Sequence, residues 1–440
     1  MSDLHDPQEL GFIEPHYGSE QWTNDARNHS DGRHLRRIHG MPEFNPDQFD
    51  AEGLVPAFWD HTWDGGRNQP SGGVEWFATG PPNSGKTTLA LRAAQIDMEV
   101  NNSRVVWRAA TGSRSEWLPY APVAHVCLPK GYDATAYVVK KGGNRNSMGK
   151  QVPLEDVVRK VTHYSDIMDL NLNVLQDGVF HVVYPDPKMR GCQWVYEESD
   201  KVVDGVKFQE GDPVDHWWFG WALSLVERGP FDWTTWICDE VASLAREGVS
   251  KDQYATLQKV QLAGTAVEDF RKNGIIGLFF GHKDKHLHNL WTDRIRWRVG
   301  MNGTANPHGG SSPKGFESVP MEEDITSDLD TGEAILYTEK EFTWPPITWP
   351  EISKPIHGDL KVYLSETDSK RAAVPGVRRR DQADHPPQQT TILVADLEEC
   401  SRTVCFRRRT QGVGPTENGP RAGFAVATRK IRARGILDWT

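Results

Sequence analysis

The stretch Gly80-Pro81-Pro82-Asn83-Ser84-Gly85-Lys86-Thr87-Thr88 decides how the rest of this chain is read. It matches the pattern G-x-x-x-x-G-K-S/T, a loop whose backbone N–H groups cradle phosphate. Val74-Glu75-Trp76-Phe77-Ala78-Thr79 before it reads as a short strand, and Thr88-Leu89-Ala90-Leu91-Arg92-Ala93-Ala94-Gln95 after it as a helix. The chemistry needs that order. Gly80 and Gly85 permit a turn tight enough to aim consecutive N–H groups inward, and the new helix adds its positive N-terminal end. Lys86 can reach β- and γ-phosphates, and the Thr87 hydroxyl can ligate Mg²⁺. All nine residues are expected to contact a nucleotide.

The 440 residues allow one large α/β domain with appendages, or two domains. Hydrophobic residues at 37% and aromatics at 10% suffice for a substantial core. A net charge of −11 argues against a protein that coats nucleic acid with its whole surface, while leaving room for local basic patches. Cys127, Cys192, Cys238, Cys400 and Cys405 are few and scattered, which suggests a reducing compartment rather than a disulfide framework. Cys400 and Cys405 are close, but no second pair completes a zinc pattern. The opening Met1-Ser2-Asp3-Leu4-His5-Asp6 lacks the start of a signal peptide. The longest apolar run, Gly274 to Gly281, is too short for a transmembrane segment. The expected location is cytoplasmic, in a host cytoplasm or virion-associated if the source is viral.

From about 72 to 300, strand-like runs alternate with helical ones, the mark of a parallel sheet covered by helices. The strand candidates are Val74–Thr79, Arg104–Arg108, Val179–Tyr184, Thr234–Cys238 and Ile275–Phe280. The helix candidates are Lys86–Met98, Pro213–Arg228 and Asp252–Lys272. Residues 1–71 read as a polar, extended N-terminal arm anchored by aromatics such as Trp59 and Trp63. Residues of about 110–175 read as an insertion, with a mobile loop at Gly142–Gly149. Residues 301–360 read as a loop-rich extension packing on the core, including the aromatic, Pro-punctuated run Phe342–Pro350. Residues 361–440 carry 15 Lys and Arg against 9 Asp and Glu, with runs Arg378–Arg380, Arg407–Arg409 and Arg429–Arg434. They read as a basic, flexible C-terminal tail, either solvated or in contact with nucleic acid or an acidic partner.

Hydrolysis also needs a metal anchor and a group that orients water. Trp233-Thr234-Thr235-Trp236-Ile237-Cys238-Asp239-Glu240 is a buried-strand pattern ending in two carboxylates, which places them at the carboxyl edge of a sheet. There Asp239 would hold Mg²⁺ and Glu240 would take or orient the proton of the attacking water; otherwise the pair opens an exposed helix. In Asp269–Lys283 a helix ends at Gly274 and an apolar strand leads to His282. If that strand lies beside the phosphate-loop strand, His282 faces the γ-phosphate as a sensor; otherwise it is a structural strand-end residue. Asp293–Val299 alternates Arg294, Arg296 and Arg298 with apolar residues. That pattern fits a half-buried strand with one cationic face, or a finger reaching a neighbouring subunit or DNA.

The series G-x-x-x-x-G-K-T, apolar-Asp-Glu, then Arg271-Lys272-Asn273-Gly274-Ile275 leading into an apolar strand resembles the FtsK–HerA superfamily of P-loop ATPases. It is more similar still to ATPases of haloarchaeal pleomorphic viruses and related integrated elements, over roughly residues 72–300. The resemblance implies Lys86 and Thr87 for phosphate and Mg²⁺, Asp239 for Mg²⁺, Glu240 as catalytic base, and Arg271 near the nucleotide or a subunit boundary. It also implies a ring-forming homo-oligomer with sites between subunits. The family often carries Gln, Thr-Gln or Thr-His where this chain has Gly281-His282, and its arginine finger has only Arg294, Arg296 and Arg298 as candidates.

The resulting expectation is an α/β, RecA-like P-loop NTPase core with a central, mostly parallel sheet flanked by helices, plus the arm and tail. Its reaction would be Mg²⁺-dependent hydrolysis of ATP, driving translocation or packaging of double-stranded DNA for a virus or mobile element. Three alternatives are an assembly ATPase without DNA translocation, a small-molecule or nucleoside kinase, and a non-enzymatic anion site in a DNA-binding protein.

Overall fold

The structure, a computed structural model, describes residues 30–49, 54–61, 73–112, 115–140, 149–304, 322–352 and 358–367. Its strands are β1 (Glu75–Thr79), β2 (Arg104–Arg108), β3 (His125–Pro129), β4 (Tyr132–Lys140), β5 (Lys150–Val152), β6 (Lys160–Tyr164) and β7 (Phe180–Val183). These are followed by β8 (Thr234–Cys238), β9 (Ile275–Gly281), β10 (Trp297–Met301), β11 (Glu333–Tyr337), β12 (Ile347–Thr348) and β13 (Gly358–Glu366). Ten of them form one sheet in the order β12-β11-β10-β1-β9-β8-β2-β7-β3-β6. Every pairing from β10 to β6 is parallel, and β11 and β12 add antiparallel strands outside β10. This is the mostly parallel α/β architecture of a P-loop NTPase core.

The central strands are buried on both faces, so they read as nearly continuous apolar runs. All five residues of β1 and of β8, and all seven of β9, are buried. Side chains nonetheless sort by the two-residue period. Trp76, Ala78, Leu278 and Phe280 enter one core with helix α3 (Lys86–Glu99). Phe77, Trp236 and Phe279 enter the other, with α4 (Trp217–Arg228) and α5 (Thr256–Asp269). On that second face Trp218 stacks on Trp236 with centroids 5.9 Å apart, and Trp221 meets Trp236 edge-on at 5.5 Å.

Several boundaries differ from the sequence expectation. Residues of the arm form two short helices, α1 (Ser30–Ile38) and α2 (Leu54–Trp59), rather than a purely extended segment. Arg36 binds Glu99 of α3 at 3.0 Å, and Phe58 lies 5.0 Å from Trp76, so tertiary contacts hold helices too short to show a period. Trp59 is buried, whereas Trp63 lies outside the described residues. The 110–175 stretch is not a simple insertion, because β3 and β6 complete the main sheet beside β7. Its β4 and β5 instead form a small sheet with β13. That pairing corrects the tail boundary: β13 is registered on β4 from Gly358↔Lys140 to Glu366↔Tyr132, across position 361. Residues 142–148 and the three arginine-rich runs of the tail lie outside the described residues, as do Cys400 and Cys405.

The helix expected at Pro213–Arg228 is a 3-10 turn, Val214–His216, followed by α4. That expected at Asp252–Lys272 begins only at Thr256, because the Asp252 carboxylate accepts the N–H groups of Tyr254 and Thr256 and turns the chain first. It closes in a 3-10 turn, Phe270–Asn273, stopped by Gly274 at φ 70°. The cationic-face reading of Asp293–Val299 also fails. β10 starts only at Trp297, and Arg298 is buried, donating to the carbonyls of Ile295 and Thr292.

Candidate functional site

Parallel pairing brings the ends of β1, β9 and β8 to one sheet edge. Thr79 is level with Gly281, and Cys238 with Phe279, so the residues that follow these strands emerge side by side. The loop Gly80–Thr88 leaves β1 and is tied back to β9 by the Gly80 N–H donating to the Gly281 carbonyl at 3.3 Å. It enters α3 through Gly85 at φ 95°. That conformation suits glycine, and the space confirms the need: a Cβ on Gly85 would stand 3.3 Å from the Gly332 nitrogen and 3.4 Å from the Trp349 ring.

Lys86 is buried and curls over its own loop, donating from Nζ to the carbonyls of Gly80 at 2.7 Å and Pro81 at 2.8 Å. Burial lowers its pKa, against the opposing attraction of Asp239 and Glu240. Those two carboxylates are thus electrostatic neighbours of the loop lysine.

Asp239 and Glu240 follow β8. The Glu240 N–H donates to Asp239 Oδ1 at 3.0 Å, and Glu240 itself sits at φ 53°, ψ 51°. A left-handed glutamate is uncommon and costs on the order of 1 kcal/mol or more, so its neighbours must hold it there. One such neighbour is His282, just beyond β9, whose Nε2 lies 2.9 Å from Glu240 Oε1. Behind the turn, buried Arg108 at the end of β2 donates to the Asp239 carbonyl at 3.3 Å, Ser243 Oγ at 3.1 Å and Asp215 Oδ1 at 2.9 Å.

Pro82, Asn83, Gly85, Lys86, Thr87 and Thr88 line one cleft of about 870 Å³ together with Asp239, Glu240 and His282. Gly80, Pro81 and Ser84 support it from within the loop: Gly80 and Pro81 hold Lys86, and the Ser84 N–H donates to the Pro81 carbonyl at 3.3 Å. Thr87 and Asp239 offer a hydroxyl and a carboxylate on the same cleft, the hard oxygen donors that Mg²⁺ takes alongside phosphate and water. Among the described residues no cluster of three or more His, Cys, Asp or Glu could hold a metal by itself, so any ion here would depend on the nucleotide for its remaining ligands.

Arg271 is not brought to this cleft. It lies in the turn before β9, where its carbonyl accepts the Gly73 N–H at 3.1 Å and its charge acts on Glu75. From Gly73 to Thr79 the chain runs on the order of 20 Å along the strand direction, so Arg271 occupies the opposite sheet edge. Its helix-stop pattern says where the chain turns, not which edge the turn occupies. Arg296 shares that edge, paired with Glu75 at 2.6 Å, and Arg294 lies 3.4 Å from Glu268.

Residues not foreseen from the sequence complete the cleft: Glu116, Thr331, Gly332, Trp349, Pro350 and Glu351. They lie far from the loop in sequence and carry no spacing signal. Arg108 was visible as a cation ending an apolar strand run, which is itself a signal of a charge placed at a sheet edge.

No protein-family model matches the chain, and no curated protein matches it. Among solved structures, it is similar to the genome packaging NTPase B204 from Sulfolobus turreted icosahedral virus 2 in complex with AMP. That likeness has a TM-score of 0.34 and 12% identity, over 64% of this chain and 98% of that one. The AMPPCP complex gives 0.33 and 11%, over 62% and 96% of the two chains. The ATP-gammaS complex gives 0.31 and 12%, over 64% and 98%. Among the described residues, no helix is long and apolar enough to cross a membrane.

Proposed function

We propose that this chain hydrolyses ATP in the cleft at the carboxyl edge of β1, β9 and β8. One observation carries the reading: Lys86 on the phosphate loop and the Glu240–His282 pair line the same cleft, although they come from three separate strands. The loop N–H groups and Lys86 bind and charge-stabilise the phosphates. Thr87 and Asp239 would hold Mg²⁺, which supplies Lewis-acid stabilisation of the phosphate oxygens. Glu240 orients the attacking water and takes its proton, and His282 fixes the carboxylate toward that water. The products are ADP and inorganic phosphate. The kinase alternative is set apart by its product: a phosphorylated second substrate in place of free phosphate would revive it.

The work done by hydrolysis is proposed to be movement of double-stranded DNA by a ring of copies, in packaging or translocation for a virus or mobile element. The series of motifs shared with FtsK–HerA ATPases supports that output, and Arg271, at the edge away from its own cleft, is placed to serve a neighbouring copy in such a ring. The test is the steady-state release of phosphate with and without linear double-stranded DNA. Stimulation by DNA, absent in Lys86→Ala, supports the motor. Hydrolysis indifferent to DNA replaces it with an assembly ATPase, and no hydrolysis under either condition overturns the enzyme.

A further inference from the structure

Beyond Arg108 lies a buried charge cluster that the chemistry above does not use. Lys259 of α5 is fully buried, and its Nζ donates to Asp212 Oδ2 at 2.7 Å and to His216 Nδ1 at 3.2 Å. The same ammonium stands 4.9 Å from the centroid of the Phe208 ring. An ammonium only donates, so His216 Nδ1 is the acceptor and its ring proton sits on Nε2, 3.2 Å from Thr256 Oγ1. Burial, with the Lys259 charge beside it, pushes the His216 pKa down to about 4 and keeps the ring neutral. The Thr256 hydroxyl in turn donates to Asp252 Oδ2 at 2.5 Å. Burying an ion pair costs about as much in lost hydration as its attraction returns, so stability alone explains this one poorly.

What the cluster holds is the 3-10 turn Val214–His216. His216 is pinned to α5, and the next residue toward the N-terminus, Asp215, accepts from Arg108 Nη2 at 2.9 Å. Arg108 then donates to the Asp239 carbonyl at 3.3 Å and to Ser243 Oγ at 3.1 Å. A continuous series of contacts therefore runs from the buried lysine to the turn that carries the metal-binding carboxylate. Its charge matters as well as its geometry. A buried guanidinium behind Asp239 opposes a cation in front of it, and the Asp215 carboxylate offsets that opposition. We propose that Asp215 is a positioning residue for the metal site: anchored through His216 by the Lys259–Asp212 pair, it holds Arg108, and through Arg108 the Asp239 turn, in the arrangement that takes a divalent cation. The ligand class is a divalent cation bound together with nucleotide phosphates, and the inference rests on the nucleotide reading given above.

The experiment is an electron paramagnetic resonance titration of the full chain with Mn²⁺ under saturating AMPPNP, beside calorimetric binding of AMPPNP in EDTA. Asp215 has a side chain 38% exposed, so Asp215→Asn does not threaten folding. It is expected to weaken Mn²⁺ about 5- to 10-fold while AMPPNP in EDTA stays within about 2-fold. Asp215→Glu, which keeps the charge and moves it, is expected to lose less. The neutral pair Asp212→Asn/Lys259→Met strands no buried charge and is expected to weaken Mn²⁺ about 3-fold. In an Arg108→Met background, Asp215→Asn should have no further effect, because its route to the metal is already cut. Unchanged Mn²⁺ affinity in Asp215→Asn, an equal loss of AMPPNP in EDTA, or a full second loss in the Arg108→Met background would each overturn the positioning role. A silent neutral pair would overturn its anchoring by the cluster. If wild type binds AMPPNP without recruiting Mn²⁺, the metal reading itself fails; if wild type recruits Mn²⁺ and Asp215→Asn does so equally, only the role of Asp215 fails.

Discussion

Glu240 and His282 meet across two neighbouring strands, with Oε1 and Nε2 2.9 Å apart, and they do so at the one edge of the sheet where Lys86 also lies. β9 stands between β1, which leads into the Gly80–Thr88 loop, and β8, which leads into Asp239–Glu240, so its last residues are placed between that loop and the two carboxylates. The left-handed backbone of Glu240 turns the carboxylate toward that histidine instead of along the strand direction. A glutamate held in a strained backbone by a partner on an adjacent strand is pre-organised for one orientation.

Replacement of Glu240 by Gln keeps size and removes the base. The expected outcome is a fall in kcat of about 100-fold or more with ATP affinity within about 3-fold of wild type. Single-turnover hydrolysis alongside equilibrium binding measures both, and a wild-type rate would exclude Glu240 as the base.

If His282 acts only by orienting Glu240, the two residues form one unit. His282→Ala is then expected to lower kcat about 10-fold, and the Glu240→Gln/His282→Ala double variant should be no slower than Glu240→Gln alone. Additive losses in the cycle would show that His282 contacts the reaction independently.

Gly85→Ala places a methyl group against the Gly332 nitrogen and the Trp349 ring at a φ of 95°. Both the strain and the contact act on the phosphate loop. ATP binding is expected to weaken by about 10-fold or more, equivalent to about 1.4 kcal/mol or more. Titration calorimetry with unchanged affinity would show that the loop tolerates the shift.

Arg108 bridges the Asp239 turn, Ser243 and Asp215 from a buried position. Arg108→Met strands those acceptors and is expected to destabilise the fold by about 3 kcal/mol, read from the urea midpoint. Because the turn carries Asp239, the Mg²⁺ concentration for half-maximal activity should rise several-fold. Arg108→Lys should recover only part of both effects, since one ammonium cannot serve groups on two sides. Wild-type stability in Arg108→Met would remove the bridge from the account.

Acid should weaken the fold through two buried histidines. His181 is neutral with its proton on Nδ1, because Nε2 accepts the Gln176 N–H and Nδ1 faces the Val105 carbonyl. Burial, aided by the mutual repulsion with His181, pushes the pKa of His125 down to about 2, and burial pushes that of His181 down to about 3. The unfolded chain binds a proton at each near pH 6.5, whereas the folded chain does not. Stability is therefore full above about pH 6.5 and falls below it by about 1.4 kcal/mol per pH unit for each histidine. Urea midpoints between pH 7.5 and 5.5 should show that slope below pH 6.5, and His181→Gln should roughly halve it, leaving the His125 contribution; a flat wild-type profile would contradict the burial argument.

The phosphate loop, the five central strands and the Asp239–Glu240 pair were legible because each is local. A loop that binds through its own backbone must carry its glycines at set spacing, and a strand buried on both faces must be apolar throughout. β6 was missed because it is a mostly polar, partly exposed strand, and β3, though fully buried, directly follows the proline-interrupted apolar stretch Leu118–Val123, which blurs any strand period. The strand β13 was missed because it is half-exposed and its register is defined by β4, more than 200 residues earlier. The family resemblance put Arg271 near the nucleotide or a subunit boundary; the structure places it at the sheet edge away from the cleft, because a helix-ending pattern does not say which edge the turn occupies.

The order of residues along the chain thus determined which groups could bind phosphate, hold a metal and take a proton. Tertiary structure alone decided which of them meet. An apolar run specifies burial but not its neighbour, and parallel pairing joins strands separated by a hundred residues or more. Only the placement of β9 between β1 and β8 sets His282 against Glu240, and only the antiparallel addition of β11 and β12 lays Trp349 over Gly85.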